Sequence, residues 1–243
     1  KETKKTEADE EEGDECPICL EELPKDVTKF VRFTCCGNGI HKHCFKDMES
    51  MKMDGTCPFC RASRPTSHEE GVKQLRPWVK KKKAWAQNIM AQLYRDGKGV
   101  KQSYEMARRL FEQAAQQGYA SAMGCLGVMY QEGLGVEQSY KKAFEYYEQA
   151  ADLGDANAQY NLGVVYSEGH GVEQSYEKAK KYIEQAAQLG HAKAQYGLGR
   201  MYAIGEGVGV DFAKAKALWT TSAAQGDENS LTALEWLKKH HEQ

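Results

Sequence analysis

Apolar and small residues in the long C-terminal part of the chain recur with a fixed period of 36 residues. The recurring positions hold a tyrosine, an alanine and two glycines: Tyr94, Tyr130, Tyr166 and Tyr202; Ala107, Ala143, Ala179 and Ala215; Gly97, Gly133, Gly169 and Gly205; Gly118, Gly154, Gly190 and Gly226. The segment Val-Glu-Gln-Ser-Tyr also occurs unchanged at residues 136–140 and 172–176. A period of this length predicts stacked supersecondary units.

Each copy predicts two helices, which we call A and B. Helix A, for example Ala156 to Tyr166, ends at a Gly-x-Gly, where the backbone needs a positive φ that glycine adopts at little cost. Helix B begins where a side chain can accept hydrogen bonds from the free N–H groups of the first turn. These starting residues are Ser103, Ser139, Ser175 and Asp211. Small residues inside the helices let A and B approach closely, and tyrosines and leucines fill the core.

The pattern Ala-x-x-x-Leu-Gly-x-x-Tyr-x-x-Gly-x-Gly-Val, followed by Lys-Ala, resembles the Sel-1-like branch of the tetratricopeptide-like repeats. The resemblance covers four copies over residues 84–227 and implies an all-α solenoid of helix-turn-helix repeats. We interpret residues 228–243 as the C-terminal capping helix that such arrays need. Residues 65–83 are interpreted as a connector and a degenerate half-repeat, with two short helices split near Arg76 because Pro77 disfavours an unbroken helix.

Positions of helix A that differ between copies lie three, seven and ten residues apart, which puts them on one helical face. In the Sel-1-like family this is the concave face, where partners usually bind. The resemblance therefore makes Tyr160, Lys193, Tyr196 and Arg200 candidates for binding a substrate. The alternative is neutral variation of exposed residues. Cys125, which stands where other copies have Asn161 and Gly197, is interpreted as inert core.

A different pattern precedes the repeats, because seven of the eight cysteines fall within residues 16–60 together with His41 and His43. The order is Cys16-x-x-Cys19, Cys35-Cys36, His41-x-x-Cys44 and Cys57-x-x-Cys60. Two-residue gaps let one turn present two ligands to one metal, and structural zinc takes four ligands. Four pairs therefore predict two structural zinc ions, and metal binding has to supply the folding free energy of so short a module.

At these residues the chain resembles a RING finger, over residues 14–64, which implies a small zinc-stabilised α+β module. The resemblance implies one zinc on Cys16, Cys19, His41 and Cys44, and the other on Cys35, Cys36, Cys57 and Cys60. In RING ligases, the positions of Ile18, Met48 and Pro58 form a groove for a ubiquitin-conjugating enzyme. The position of Arg61 bridges that enzyme and its ubiquitin, a role that suits the five donors of a guanidinium.

Two alternatives remain open for this module. Cys35 and Cys36 are adjacent where RING fingers usually have a spacer, and the first alternative is that one of them is not a ligand. Asn38 then stands where many RINGs have histidine, and His43 becomes a substitute ligand. A PHD finger has the same ligand order, but it usually carries a tryptophan two residues before the last cysteine pair, where this chain has Gly55.

Composition narrows the classes of function. Residues 1–13 form an acidic segment with almost no apolar residues, which predicts disorder. The net charge is −2, so a general nucleic-acid binder is disfavoured; Lys80–Lys83 is interpreted as a solvated helix face or as a nuclear-import patch. No apolar run approaches the length of a membrane span. Clustered cysteines without a preceding signal segment predict a cytoplasmic or nuclear protein, and a first residue that is not Met predicts a fragment or processed form.

The two resemblances together imply a RING-type ubiquitin ligase whose zinc module recruits a ubiquitin-conjugating enzyme with its ubiquitin. The repeats would bind a protein substrate or adaptor. The competing hypothesis is a protein-interaction scaffold without enzymatic activity, in which the zinc module is only structural.

Overall fold

The computed structural model describes residues 30–33, 39–41, 63 and 65–241. The chain divides into two compact units, Lys1–Leu75 and Arg76–Gln243. In the first unit, β1 (Phe30–Arg32) and β2 (Gly39–His41) form an antiparallel pair with Phe30 opposite His41. Residues 34–38, which contain Cys35, Cys36 and Asn38, lie between these strands and outside the described residues.

One helix, α1 (His68–Lys80), forms where two short helices were expected, so the split near Arg76 was wrong. Thr66, just before the helix, donates from its backbone N–H and its hydroxyl to the carboxylate of Glu70 in the first turn, at 2.8 and 3.0 Å. The helix accommodates Pro77 because that residue and Lys73 are both exposed. The Lys73 carbonyl, which loses its usual N–H partner, therefore belongs to an exposed residue on the same face as the proline ring.

The second unit is the helical array, and the predicted all-α solenoid is confirmed. Its A helices are α2 (Ala84–Asp96), α4 (Ala120–Glu132), α6 (Ala156–Glu168) and α8 (Ala192–Ile204). Its B helices are α3 (Tyr104–Ala115), α5 (Tyr140–Asp152), α7 (Tyr176–Gln188) and α9 (Phe212–Ala223), and α10 (Glu228–His241) follows them. Within the described residues, no helix is long and apolar enough to cross a membrane.

The ends of the helices follow the predicted chemistry. Every A helix ends at the first glycine of its Gly-x-Gly, with φ between 67° and 77°. Every B helix begins after a side-chain oxygen that accepts from the N–H group three residues later; Ser175, for example, accepts from Lys178 at 3.3 Å. Helix B ends two or three residues before the next positive-φ glycine, because a short turn comes between them.

Close contact between A and B helices depends on small residues at fixed positions. The alanines at the start of each B helix, such as Ala107 and Ala179, are fully buried. In the fourth copy, Trp219 packs on Gly199 so closely that a Cβ there would lie 2.5 Å from Nε1 of the indole. That indole N–H donates to the backbone oxygen of Tyr196 at 3.1 Å, which satisfies the polar atom of a buried aromatic side chain.

Candidate functional site: the A-helix groove

The A helices line a groove of about 460 Å³, which we call the A-helix groove. Its walls include one or more side chains from each of α2, α4, α6 and α8. The residues used below are Gln92, Cys125, Asn157, Tyr160, Asn161 and Lys193. Because every copy presents the same face of helix A, neighbouring copies combine into one continuous surface.

His191 ties the groove to the start of α8. Its Nδ1 accepts from the backbone N–H of Ala194 at 3.1 Å, and its Nε2 lies 3.2 Å from Oδ1 of Asn157. The neutral ring with the proton on Nε2 satisfies both contacts. Burial, with a smaller contribution from Lys193, lowers the pKa of His191, which favours the same neutral form.

Tyr160 stacks on this histidine, with ring centroids 5.0 Å apart and an interplanar angle of 23°. On its other side the Tyr160 ring lies against α8, where a Cβ on Gly197 would lie 4.0 Å from it. Burial raises the pKa of Tyr160, so the phenol is neutral at physiological pH. Tyr160 is therefore a pre-ordered aromatic surface at the centre of the groove.

The charges of the groove are unevenly compensated. Arg95 pairs with Asp96 at 2.7 Å, and the Asp155 carboxylate accepts from the backbone N–H of Ala158 at 2.8 Å as the N-cap of α6. Lys193 is exposed and forms no ion pair within the described residues. The groove therefore offers a free ammonium group, while its carboxylate is already engaged by backbone.

Cys125, interpreted from the sequence as inert core, lines the groove and has intermediate exposure. Burial raises the pKa of the Cys125 thiol to about 11, which keeps it protonated and unreactive as a nucleophile.

Two polar groups in the groove have no hydrogen-bond partner within the described residues. The carboxamide of Asn161 and the hydroxyl of Tyr160 form no hydrogen bond with any described residue. Free amides and hydroxyls beside an aromatic ring suit recognition of an extended polypeptide, whose backbone offers donors and acceptors at regular spacing. No group of three His, Cys, Asp or Glu side chains in the described part of the chain could hold a metal ion.

The structure separates the four residues proposed from the sequence. Tyr160 and Lys193 line the groove. Tyr196 does not line it and is partly buried against the core cluster around Trp219. Arg200 is exposed, with its Nη2 3.7 Å from Glu206. Sequence reasoning missed Gln92, Asn161 and His191. For Asn161, the available signal was that the equivalent positions of other copies hold Cys125 and Gly197.

The predicted residues of the zinc module lie outside the described residues, except His41, whose backbone ends β2. This applies to the ligands Cys16, Cys19, Cys35, Cys36, Cys44, Cys57 and Cys60, to the alternatives Asn38 and His43, and to Ile18, Met48, Pro58 and Arg61.

Comparisons with protein families match both parts of the chain. The Sel1 repeat model matches residues 86–119, 120–155, 156–191 and 192–227. The Ring finger domain model matches residues 14–61, which contain all eight of the zinc ligands inferred above. A RING finger implies zinc binding, and Sel1 repeats imply binding of other proteins.

Two solved structures resemble the array. A Sel1 repeat protein from Oxalobacter formigenes is 29% identical with a TM-score of 0.68, covering 73% of this chain and 72% of that one. A protective antigen of uropathogenic Escherichia coli with an SLR fold is 31% identical with a TM-score of 0.62, covering 71% of this chain and 37% of that one. No curated protein matches the chain significantly.

Proposed function

Because the chain belongs to the Sel1 repeat family and also contains a RING-type zinc finger, we propose that it is a RING-type ubiquitin ligase. The zinc module recruits a ubiquitin-conjugating enzyme, and the A-helix groove binds a protein substrate or adaptor. The observation that carries this proposal is the Ring finger match over residues 14–61 in the same chain as a partner-binding array.

The donor set fits two structural zinc ions. Thiolates and imidazoles are the ligands zinc prefers, and the eight proposed ligands fill two tetrahedral sites without leaving a position for water. The first site comprises Cys16, Cys19, His41 and Cys44, and the second comprises Cys35, Cys36, Cys57 and Cys60. Bound zinc supplies folding free energy to this module and takes no part in the transfer reaction.

Catalysis in this proposal is positional. Ile18, Met48 and Pro58 form the apolar surface that receives the conjugating enzyme, and Arg61 hydrogen-bonds both the enzyme and its ubiquitin. The ubiquitin thioester is thereby held in a reactive orientation, and a substrate lysine attacks it directly. Restricting orientation accelerates the reaction without any covalent intermediate on this chain.

The repeat array supports the other half of the proposal. Tyr160 supplies a fixed aromatic contact, a type of residue that anchors protein interfaces. Lys193 and Asn161 add an ammonium and a carboxamide that no described residue engages. Tyr196 and Arg200, outside the groove wall, extend the same helical face in the fourth copy.

The test is ubiquitin transfer by the full chain with activating enzyme, a panel of conjugating enzymes and ubiquitin. We expect chain formation with at least one conjugating enzyme, and a loss of about tenfold or more in rate for Ile18→Ala and for Arg61→Ala. Arg109→Ala is the matched control, because Arg109 is an exposed arginine whose one ion pair within the described residues is with Glu105 on its own helix. Transfer by no enzyme of the panel, with zinc bound, would favour the scaffold hypothesis.

A further inference from the structure

The loops between helices A and B carry a hydrogen-bonded glutamine in the first three copies. Nε2 of Gln102, Gln138 and Gln174 donates to a backbone carbonyl near the end of helix A at 2.7–2.8 Å. The same nitrogen lies 3.1–3.3 Å from the hydroxyl of the first tyrosine of helix B: Tyr104, Tyr140 or Tyr176. This glutamine therefore fixes the loop to both helices.

The fourth loop lacks this arrangement. Val210 stands at the glutamine position and Phe212 at the tyrosine position, so neither hydrogen bond can form. Ile204 stands where the other copies have Asp96, Glu132 and Glu168. Three polar positions have thus become apolar in one loop.

These apolar side chains face solvent. Ile204 is 61% exposed and Val210 is 57% exposed, the largest values for big hydrophobic side chains within the described residues. Val210 covers the residue next to Ile204, since a Cβ on Gly205 would lie 3.0 Å from Cγ2 of Val210.

A shallow groove of about 410 Å³, whose lining includes two valines and two lysines, adjoins this pair. Its lining includes Val208, Val210, Tyr202, Lys180 and Lys214. Nζ of Lys214 lies over the Tyr202 ring, 5.1 Å from the ring centroid. Lys180 forms no ion pair with any residue that the structure describes. Asp211 is the one carboxylate in the lining, and its Oδ2 lies 3.4 Å from Nζ of Lys214. Its Oδ1 also caps α9 by accepting from the backbone N–H of Lys214 at 2.9 Å.

We propose that Ile204, Val210 and this adjoining groove, together the fourth-loop surface, dock a segment of a partner protein that carries aliphatic side chains between carboxylates. The aliphatic pair and the valines of the groove match the apolar side chains, and the ammonium group of Lys180, which pairs with no described carboxylate, matches the carboxylates. The surface lies on the A–B loop of α8 and α9 and shares no lining residue with the A-helix groove. It is therefore a second protein-binding site that does not depend on ligase activity.

The decisive variant restores the polar residues of the other copies: Ile204→Glu together with Val210→Gln in the full chain. The probe is a short fluorescein-labelled peptide with a central pair of leucines between runs of glutamate. We expect it to bind the parent protein, shift the methyl NMR signals of Ile204 and Val210, and bind the double variant about tenfold more weakly or less. The variant restores residues that three other loops tolerate, so unfolding does not explain a loss of binding.

Two comparison peptides and one comparison variant complete the test. Peptides with serine for leucine, or lysine for glutamate, should not shift the methyl signals. The comparison variant, Glu168→Ile with Gln174→Val, creates an apolar third loop. Phe144 stands at the repeat position of Lys180 there, so the loop has no matching lysine and should gain no binding of the acidic peptide. Equal binding by parent and restored variant, absence of methyl shifts, or self-association of the parent that the restored variant abolishes would each overturn the proposal.

Discussion

Gln225 donates from Nε2 to Oε1 of Gln195 at 2.8 Å, which joins the turn after α9 to helix α8. Gln117 makes the same bond to Gln87 at 2.7 Å in the first copy. The third copy has only half of this pair, because Leu189 stands where Gln117 and Gln225 stand. The Oε1 atom of Gln159 is accordingly buried without a hydrogen-bond partner within the described residues.

Leu189→Gln should therefore stabilise the array. Completing the pair gives the buried Gln159 oxygen a donor, which is worth about 1 kcal/mol in the free energy of unfolding. Urea denaturation of the parent and variant measures the difference. Leu153→Gln is the matched control, since the helix position facing it holds Met123 and offers no acceptor. Stabilisation by both substitutions, or by neither, would contradict the pairing.

Gly171→Ala should destabilise the array more than Gly154→Ala. Both glycines have positive φ, 75° and 83°, so each alanine costs about 1 kcal/mol in backbone strain. Only at Gly171 would the new Cβ also meet Tyr140, 2.9 Å from its Cβ, whereas nothing lies within 4 Å at Gly154. Thermal unfolding of both variants separates steric conflict from strain, and equal losses would show that the contact with Tyr140 is unimportant.

His191 predicts a pH dependence of stability. Burial lowers its pKa below the ordinary value of 6.5, so the unfolded chain takes up this proton more readily than the folded chain. The stabilisation from neutral His191 is fully present above about pH 6.5 and is lost as the pH falls through that value toward the lower folded pKa.

His191→Asn should remove this part of the pH dependence while keeping an N-cap side chain for α8. Urea denaturation at several pH values between neutral and mildly acidic measures the slope. His170→Asn is the control, because His170 is an exposed histidine that pairs with Glu168 at 3.0 Å. An unchanged slope in the His191 variant would mean that other groups cause the acid sensitivity.

Zinc content tests the ligand assignment at the adjacent cysteines. We expect native mass spectrometry to find two zinc ions on the parent chain, and one on either Cys35→Ser or Cys36→Ser, because each loses a ligand of the same site. A matched control is Cys125→Ser, which alters a thiol of the repeat array and should keep both ions. Loss of zinc by the Cys36 variant alone would support His43 or Asn38 as the alternative.

The repeat architecture was predictable because its signals are local. Gly169 and Ser175 end one helix and begin the next through backbone conformation and a contact three residues away, which the sequence displays directly. The unchanged Val-Glu-Gln-Ser-Tyr segment marked the loop glutamine, although only the structure reveals that Gln138 bonds both helices.

The missed features depend on distant neighbours. His191 and Asn157 are 34 residues apart, and nothing local distinguishes this histidine from an exposed one. Tyr196 shares its repeat position with Tyr160, and each ring packs against a core cluster, but only Tyr160 lines the groove of the described residues. The expected break at Pro77 failed because the cost of a proline depends on whether the freed carbonyl reaches water.

His191 is both the N-cap of α8 and the stacking partner of Tyr160. This double role has a thermodynamic consequence. A partner that requires the stacked pair binds only the folded fourth copy, so its binding raises the melting temperature of the array. The coupling is reciprocal: the free energy by which binding stabilises the start of α8 is also the free energy by which fraying of that helix end weakens binding of the partner. Binding in the A-helix groove therefore depends on the folded state of α8.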